Sequence, residues 1–226
     1  MSNSGNFLYD LDLFPVIVDS NRQIAEGVFV LSFERQHVFV AGQVVGVSIE
    51  KDAKPRLYSI ASGNREDNIS LLYNIKPDGE LSPSLSEIMS GETIYVYAPF
   101  VSFYGSSEPA VLIASGTGIA PFISMLRSGL SKDKMLIHGG RTLDSFYFKD
   151  ELEKVLGKEN YIRCCSQQVG DGVFEGRLTK YLEEQETLPQ GSKYYLCGLS
   201  EMVVQTRDLL IEKGIPYENI IAEIYF

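Results

Sequence analysis

The chain has 226 residues, of which 44% are hydrophobic, 22% charged and 11% aromatic. This apolar share can fill a sizeable core, which excludes a wholly disordered protein, and the length suits one large domain or two modest ones. The formal net charge of −10 argues against a nucleic-acid binder, because phosphate backbones attract positive charge.

Short strands dominate the first hundred residues. They are rich in β-branched and aromatic residues and mostly bounded by Gly, Pro, Asn or Asp, a pattern that predicts an antiparallel barrel or sandwich. One helix is predicted among them, over Leu81–Met89 and ended by Gly91. The predicted strands are Phe14–Asp19, Val28–Glu34, Val44–Glu50, Leu57–Ala61, Ile69–Ile75 and Thr93–Ala98.

The pattern changes at Gly105–Pro109. From there apolar runs alternate with helical periodicity, which is typical of a parallel sheet with helices on both faces. We therefore predict two domains, one all-β over residues 1–106 and one α/β over residues 107–226. The predicted α/β strands are Ala110–Ala114, Met135–His138, Tyr161–Cys165, Tyr194–Cys197 and Ile220–Tyr225, and the predicted helices are Phe122–Leu130, Ser145–Leu156, Leu178–Glu184 and Glu201–Lys213.

Composition also limits the metal and membrane classes. Three cysteines that form no CxxC pair argue against a disulfide framework and an iron–sulfur cluster, and two histidines far apart in sequence argue against a histidine-rich metal site. No apolar run approaches the roughly 18 residues of a membrane-spanning helix, and the N-terminus does not resemble a signal peptide. We expect a cytoplasmic protein with no metal, no membrane association and no nucleic-acid partner.

A glycine-rich segment, Ser115–Pro121, follows the first buried strand and opens a helix. Its glycines allow a tight turn and close approach to a pyrophosphate, Pro121 suits a first helical turn, and the helix N-terminus offers N–H groups to an anion. The context favours a nucleotide phosphate site, with a plain strand–helix turn as the alternative.

Two segments of the all-β half carry further candidates. Alternation along Arg56–Ser59 places Arg56 and Tyr58 on one face and Ser59 on the other. The arginine could hold a phosphate while the ring stacks on a planar ligand, although a surface ion pair beside an edge aromatic is slightly favoured on spacing alone. Ser82 could cap the predicted helix or donate to a phosphate.

The α/β half adds two more. Cys197-Gly198 lies at the carboxyl end of a predicted strand, where open α/β sheets bind ligands, although a buried thiol without a role is commoner. The chain ends in Glu223-Ile224-Tyr225-Phe226, and its two aromatics would suit either core packing or the cover of a flat cofactor.

Taken together, the order RLYS, GELS, GTGIAP, CG and a terminal Glu-x-Tyr resembles the ferredoxin–NADP reductase family, bacterial type. The resemblance covers essentially the whole chain. Arg56–Ser62 and Pro77–Leu85 look like the family's flavin segments, and Ala222–Phe226 looks like the bacterial type's ending. It implies a six-stranded antiparallel β-barrel that binds FAD, followed by a parallel α/β domain that binds NADP.

The resemblance also implies individual roles in FAD binding. Arg56 would contact the pyrophosphate, Tyr58 would stack on the isoalloxazine ring, and Ser59 would hydrogen-bond near N5, the hydride acceptor. Tyr225 would cover the other flavin face, and Phe226 could pack against the adenine. The other FAD-binding residues implied are Leu57, Leu72, Tyr73, Asn74, Ile75, Gly79, Leu81, Ser82 and Thr117.

On the nicotinamide side, Cys197 and Glu223 would border the pocket. The implied catalytic set is Ser59, Cys197, Glu223 and Tyr225. The implied NADP-binding residues are Gly116, Thr117, Gly118, Pro121, Arg141, Ser166, Gln167, Arg177, Cys197 and Gly198.

One position departs from the family pattern. Members specific for NADP commonly carry Ser-Arg after the third α/β strand, with the arginine on the 2′-phosphate, whereas this chain has Ser166-Gln167. Arg141 and Arg177 match other phosphate-binding positions, but either could instead pair with an acid such as Asp144 or Glu175. NADPH is favoured, and NADH stays open.

The resemblance therefore implies a monomeric reductase that transfers hydride between NADPH and FAD and exchanges single electrons with ferredoxin or flavodoxin. The alternatives are an NADH-dependent reductase component of an oxygenase and a non-catalytic flavin-binding redox sensor. Because such electron carriers are usually acidic, this acidic chain must present a local basic face or accept slow, salt-sensitive encounter. Candidates for it are Lys51, Lys54, Arg65 and Lys76.

Overall fold

The computed structural model describes residues 13–100 and 103–225. These residues form two six-stranded sheets and five α-helices. The strands are β1 (Phe14–Ala25), β2 (Val28–Glu34), β3 (Val44–Ser48), β4 (Arg56–Ser59), β5 (Asn68–Asn74), β6 (Thr93–Val96), β7 (Ala110–Ser115), β8 (Lys134–Gly140), β9 (Tyr161–Cys165), β10 (Phe174–Glu175), β11 (Lys193–Leu199) and β12 (Ile220–Tyr225). The helices are α1 (Ser82–Glu87), α2 (Ala120–Arg127), α3 (Lys149–Leu156), α4 (Leu178–Glu184) and α5 (Ser200–Glu212).

The first sheet is antiparallel, with strand order β4-β3-β6-β1-β2-β5. An isolated bridge between Ile60, directly after β4, and Leu71 of β5 joins the two ends of this order. Next to it, the N–H of Ala61 donates to the carbonyl of Ser70 at 2.7 Å. These contacts close the sheet into a barrel, so its end strands are not left as open edges.

The second sheet is parallel, with strand order β10-β9-β8-β7-β11-β12. Successive residues of its central strand β7 enter different cores, as the two-residue period of a strand requires. Leu112 belongs to the core shared with α2 and α3, whereas Ile113 belongs to the core shared with α4 and α5. Helices therefore cover both faces, and the fold predicted from the sequence is confirmed.

The core beneath α2 also joins the two sheets. It contains Val30, Ala61 and Leu72 from the barrel half together with Ile119 and Leu126 from the α/β half. Since apolar burial contributes about 25 cal/mol per Å² to stability, a shared core holds the halves against each other. The domain boundary at residue 106 stays a prediction.

Several elements differ from their predicted bounds. β1 runs on to Ala25, because after pairing with β6 it bends at a register shift near Val18 and continues along β2. The predicted helix over Ser145–Leu156 begins only at Lys149, since residues Leu143–Ser145 form a separate 3₁₀ turn. No helix in the described ranges is long and apolar enough to cross a membrane.

Candidate active site

Three side chains from distant parts of the sequence meet between the two sheets. The hydroxyl of Ser59, the last residue of β4, donates to Oε2 of Glu223 at 3.3 Å. Cys197 Sγ lies 3.8 Å from the same oxygen, because β11 and β12 pair in a register that sets Cys197 opposite Glu223. The barrel and the parallel sheet thus contribute to one cluster.

The surroundings of this cluster change the acidity of its carboxyl group. Ser59 and Cys197 are buried, and Glu223 is half-buried. Burial raises the pKa of Glu223 because it removes water from the charged form, while the hydrogen bonds from Ser59 and Cys197 act in the opposite direction. Glu223 therefore keeps a proton to higher pH than an ordinary glutamate, at a place where both sheets meet.

The glycine-rich turn lies directly beside the cluster. Gly116 has φ +55°, and a Cβ added there would meet no atom within 4 Å, so this residue faces open space. At Gly118, in contrast, a Cβ would come within 2.4 Å of the carbonyl oxygen of Cys197. The first glycine is required by backbone conformation and the second by the close approach of β11.

A buried hydroxyl near this turn lacks a partner. The Oγ of Ser115, at the carboxyl end of β7, makes no hydrogen bond to any residue that the structure describes. A Cβ added at Gly198 would lie only 2.3 Å from this Oγ. Since buried polar groups are normally hydrogen-bonded, this hydroxyl marks the crevice as a place that could bind a polar ligand.

On the barrel side, Arg56 is half-exposed and forms an ion pair with the exposed Glu80. The structure therefore contains the surface ion pair that spacing alone slightly favoured, and the partner of Arg56 comes from the Gly79–Ser82 segment. Tyr58 is partly buried against the edge of Tyr73, with ring centroids 6.0 Å apart. Burial raises the pKa of Tyr58 to about 12, so its phenol stays protonated.

Of the two alternatives for Ser82, that it caps α1 or donates to a phosphate, the first is wrong. The residue at the cap position is Leu81, which has no side-chain capping bond. The hydroxyl of Ser82 instead accepts from the backbone N–H of Lys76 at 2.9 Å and closes the turn before the helix. Gly79 belongs to this turn and donates its N–H to the carbonyl of Lys76 at 2.8 Å.

The other expected flavin-side positions lie on or after β5. Leu72 and Tyr73 are buried, whereas Asn74 is exposed. Ile75 donates its N–H to the carbonyl of Gly27 at 2.8 Å, which holds the end of β5 on the β1–β2 hairpin. Leu57, between Arg56 and Tyr58, is 47% exposed, so this strand presents an apolar side chain to solvent.

Sequence reasoning missed His138, which is completely buried beneath the glycine-rich turn. Its Nδ1 lies 3.1 Å from the hydroxyl of Tyr161, and the backbone of Gly116 lies against the imidazole. Burial lowers the pKa of His138 to about 3, against the opposite effect of a hydrogen bond to the backbone of Gly116 and with a smaller lowering effect of the positive charge on Arg163. A neutral imidazole thus supports the turn. The only sign in the sequence that this histidine is buried was its position in a predicted apolar strand.

Residues 112–208 match the family of oxidoreductase NAD-binding domains. The flavodoxin/ferredoxin–NADP reductase of Escherichia coli is 29% identical over 192 residues, which cover 75% of this chain and 77% of that protein. A ferredoxin NADP⁺ reductase from Neisseria gonorrhoeae, solved with bound FAD and NADP, superimposes with a TM-score of 0.84 at 20% identity over 96% of this chain and 100% of that one. These similarities span most of the chain and support the ferredoxin–NADP reductase family. The resemblance noted in the sequence is thereby confirmed, as is the class of ferredoxin–NADP reductase-type oxidoreductase.

Some of the proteins to which this chain is similar are longer than it. The electron transfer component of toluate 1,2-dioxygenase from Pseudomonas putida is 26% identical over 224 residues, which cover 93% of this chain and 67% of that protein. The chain spans 59% of the length of one other curated relative and 51% of the length of another.

The expected nucleotide-binding residues lie at the carboxyl edge of the parallel sheet. Backbone N–H groups of Ser166 and Gln167 donate to the carbonyls of Gly140 and Arg141, both at 3.0 Å, which brings the ends of β8 and β9 together. Arg141 is exposed and makes no ion pair within the described ranges, neither with Asp144 nor with another acid.

Three further expectations of the family pattern have separate outcomes. Arg177 pairs with an acid, as the alternative allowed, but the acid is Glu201 at 3.7 Å and not Glu175. Tyr225 pairs through its backbone with Leu199, while its side chain and all of Phe226 lie outside what the structure describes. Their proposed contacts with FAD stay predictions.

Proposed function

We propose that this chain is an FAD-dependent ferredoxin- or flavodoxin–NADP reductase. It transfers hydride between NADPH and FAD and exchanges single electrons with a small redox protein. The observation that carries this proposal is the cluster of Ser59, Cys197 and Glu223, which only the meeting of both sheets creates beside the glycine-rich turn. The Neisseria gonorrhoeae reductase, solved with FAD and NADP, and the Escherichia coli reductase support the choice of cofactors and reaction.

The described residues fit a dinucleotide on the barrel side. Bound FAD would supply a hydride acceptor that releases electrons one at a time. The partly buried ring of Tyr58 offers an apolar surface for stacking, and the half-exposed Arg56 can turn from Glu80 to a phosphate. Ser59 is placed to donate a hydrogen bond at the reacting edge, because its hydroxyl already faces Glu223 of the other sheet.

The described residues also fit a nicotinamide nucleotide. Open space at Gly116 leaves room for a phosphate at the start of α2, where N–H groups and the helix dipole favour an anion. The unpartnered hydroxyl of Ser115 could donate to the same ligand. Glu223 can hold a proton beside the nicotinamide pocket and, with the buried Cys197, limits access of water to it.

We propose NADPH rather than NADH as the donor. Arg141 is exposed and free of ion pairs in the described part of the chain, and it lies next to Gln167 at the edge expected for the 2′-phosphate. Arg177 reaches Glu201 only at 3.7 Å, and both side chains are exposed, so this pair is weak and easily exchanged for a phosphate.

The proposal extends to organisation and partners. Residues 1–106 would hold FAD and residues 107–226 NADP(H), in a monomer, since one chain supplies the whole cluster. Cys164, Cys165 and Cys197 are buried and form no disulfide among the described residues, which suits a reducing cytoplasm. An acidic electron carrier would dock on the exposed basic residues of the barrel half, Lys51, Lys54, Arg65 and Lys76.

A second candidate is the NADH-dependent reductase component of an oxygenase. Two observations favour it: the similarity to the toluate 1,2-dioxygenase component over 93% of this chain, and the uncharged Gln167. The two candidates share the flavin site and differ in nucleotide and electron acceptor.

The test uses the purified chain reconstituted with FAD. Flavin absorbance should bleach on mixing with NADPH, and Ser59→Ala should slow this step about tenfold or more, because one positioned hydrogen bond is lost. The exposed Ser84→Ala serves as the matched control. A chain that takes up no FAD, or whose flavin neither nucleotide reduces, contradicts the proposal, and faster bleaching by NADH favours the second candidate.

A further inference from the structure

Helix α2 connects the glycine-rich turn to the barrel. Its first residue directly follows the turn, and its end lies against the loop of residues 61–64, which comes two residues after Ser59. The hydroxyl of Ser124 donates to the carbonyl of Ser62 at 2.7 Å. The hydroxyl of Ser128, just after the helix, accepts from the N–H of Asn64 at 2.9 Å. We call these contacts, with those of Arg127 below, the α2 seam.

Arg127 makes the most extensive contacts of the α2 seam. Its Nη1 donates to the carbonyl of Ala61 at 3.2 Å, and its Nε and Nη2 donate to the two carboxylate oxygens of Glu151 at 2.7 and 2.8 Å. The guanidinium carbon lies 5.1 Å from the ring centre of Phe148. One side chain therefore links the barrel loop, α3 and the turn before α3.

The backbones at the seam are in direct contact. A Cβ at Gly63 would lie 2.9 Å from the carbonyl oxygen of Arg127, so glycine is what allows the loop to approach the helix end. Ser62 is completely buried, and Ala61 and Leu126 belong to the core shared by both halves. The loop cannot slide along the helix without breaking these hydrogen bonds and opening the core.

Because α2 is short and rigid, a displacement at the α2 seam also displaces the glycine-rich turn. Eight helical residues span about 12 Å, and a short helix moves as one body. A shift of the 61–64 loop relative to Arg127 would therefore change the distance between Ser59 and the glycine-rich turn. These are the two places that, in the proposed function, hold the hydride acceptor and the hydride donor.

We infer that Arg127 is a positioning residue for hydride transfer. Its hydrogen bonds to Ala61 and Glu151 fix the strand that carries Ser59 relative to the glycine-rich turn, and Arg127 itself contacts neither cofactor. The inference rests on the proposed function. Hydride transfer depends steeply on geometry, since a misplacement of about 1 Å can slow an enzymatic step about 100-fold.

The test compares Arg127→Met, Arg127→Lys and Glu151→Gln in the FAD-loaded chain. Arg207→Met is the matched control, because Arg207 also pairs with an acid on a helix but lies on the exposed side of α5. For each protein we would measure the Kd for FAD, the Kd for NADP⁺, the limiting rate of flavin reduction by NADPH, and flavin reduction by dithionite.

We expect Arg127→Met to lower the limiting rate about tenfold or more, with both Kd values within about threefold of wild type and dithionite reduction unchanged. The kinetic isotope effect with deuterated NADPH should rise, because hydride transfer becomes more strongly rate-limiting. Glu151→Gln should give an intermediate loss, and Arg127→Lys should recover part of the rate, since lysine can reach one partner but not both.

Two outcomes overturn the inference while leaving the proposed function intact. One is an unchanged limiting rate in Arg127→Met and Glu151→Gln. The other is a parallel loss of rate, cofactor affinity and Tm, which marks a purely structural role. If Arg127→Met does not fold, the same comparison with Glu151→Gln decides. A wild-type flavin that NADPH does not reduce contradicts the proposed function itself, and the inference falls with it.

Discussion

The buried imidazole of His138 makes the stability of the protein depend on pH in a calculable way. The side chain has no solvent exposure. Protonation would place a positive charge in this buried site near Arg163, and the hydrogen bond to the backbone of Gly116 offsets only part of that cost. His138 is therefore neutral in the native state.

The magnitude follows from the two pKa values. An unfolded histidine has a pKa near 6.5, whereas burial lowers the pKa of His138 to about 3. Between these values the unfolded chain binds one more proton than the native chain, so the free energy of unfolding falls as the pH falls. The slope is about 1.4 kcal/mol per pH unit, which gives a loss of about 2 kcal/mol between pH 7 and pH 5.

The assay is urea unfolding of wild type and His138→Asn over this pH range. Asparagine has no titrating group, yet its amide can still reach the hydroxyl of Tyr161, which bonds Nδ1 in wild type. The difference in unfolding free energy between the two proteins should change by about 2 kcal/mol from pH 7 to pH 5. His37→Asn, at an exposed position, is the control for removal of an imidazole. A difference that does not change with pH would refute the reasoning, because His138 would then titrate alike in both states.

The remaining predictions concern three side chains of the candidate site. Burial raises the pKa of Glu223, so between about pH 4.5 and this raised pKa the native chain binds more protons than the unfolded chain. Wild type should therefore lose stability relative to Glu223→Gln as the pH rises through this window, and a stability difference that does not change with pH would count against a desolvated carboxyl. Glu80→Gln frees Arg56 for a phosphate and should tighten FAD binding about two- to fivefold in a fluorescence titration. An unchanged Kd means that Glu80 does not compete. Gln167→Arg should lower the KM for NADPH about fivefold or more and leave the KM for NADH unchanged. If wild type and this variant have the same KM for NADPH, residue 167 does not face the 2′-phosphate.

Local sequence patterns determined most of the secondary structure. The bounds of β2, β9, α4 and β12 agree with prediction because each segment has one clear apolar period between turn residues or polar stretches. The glycine-rich turn was also identifiable, since φ +55° at Gly116 and the tight approach at Gly118 both require glycine. Such features depend on a residue and its near neighbours, which the sequence displays directly.

Other elements depend on contacts that no local pattern displays. The polar second half of β1 is a strand only because β2 pairs with it, and Ser82 bonds Lys76 instead of capping α1 because the preceding turn folds back. Two-residue β10 is too short to have a period and exists through its pairing with β9.

The sequence alone indicated which residues suit a flavin and nicotinamide site, and it indicated the two kinds of sheet that carry them. Only the tertiary structure decided that Ser59 reaches Glu223, 164 residues away, and that Arg127 ties the barrel loop to α3. The reason is physical. Periodicity encodes which face of each element is apolar, but the distance between two faces is set when the shared core packs, and that packing depends on all contributing residues at once.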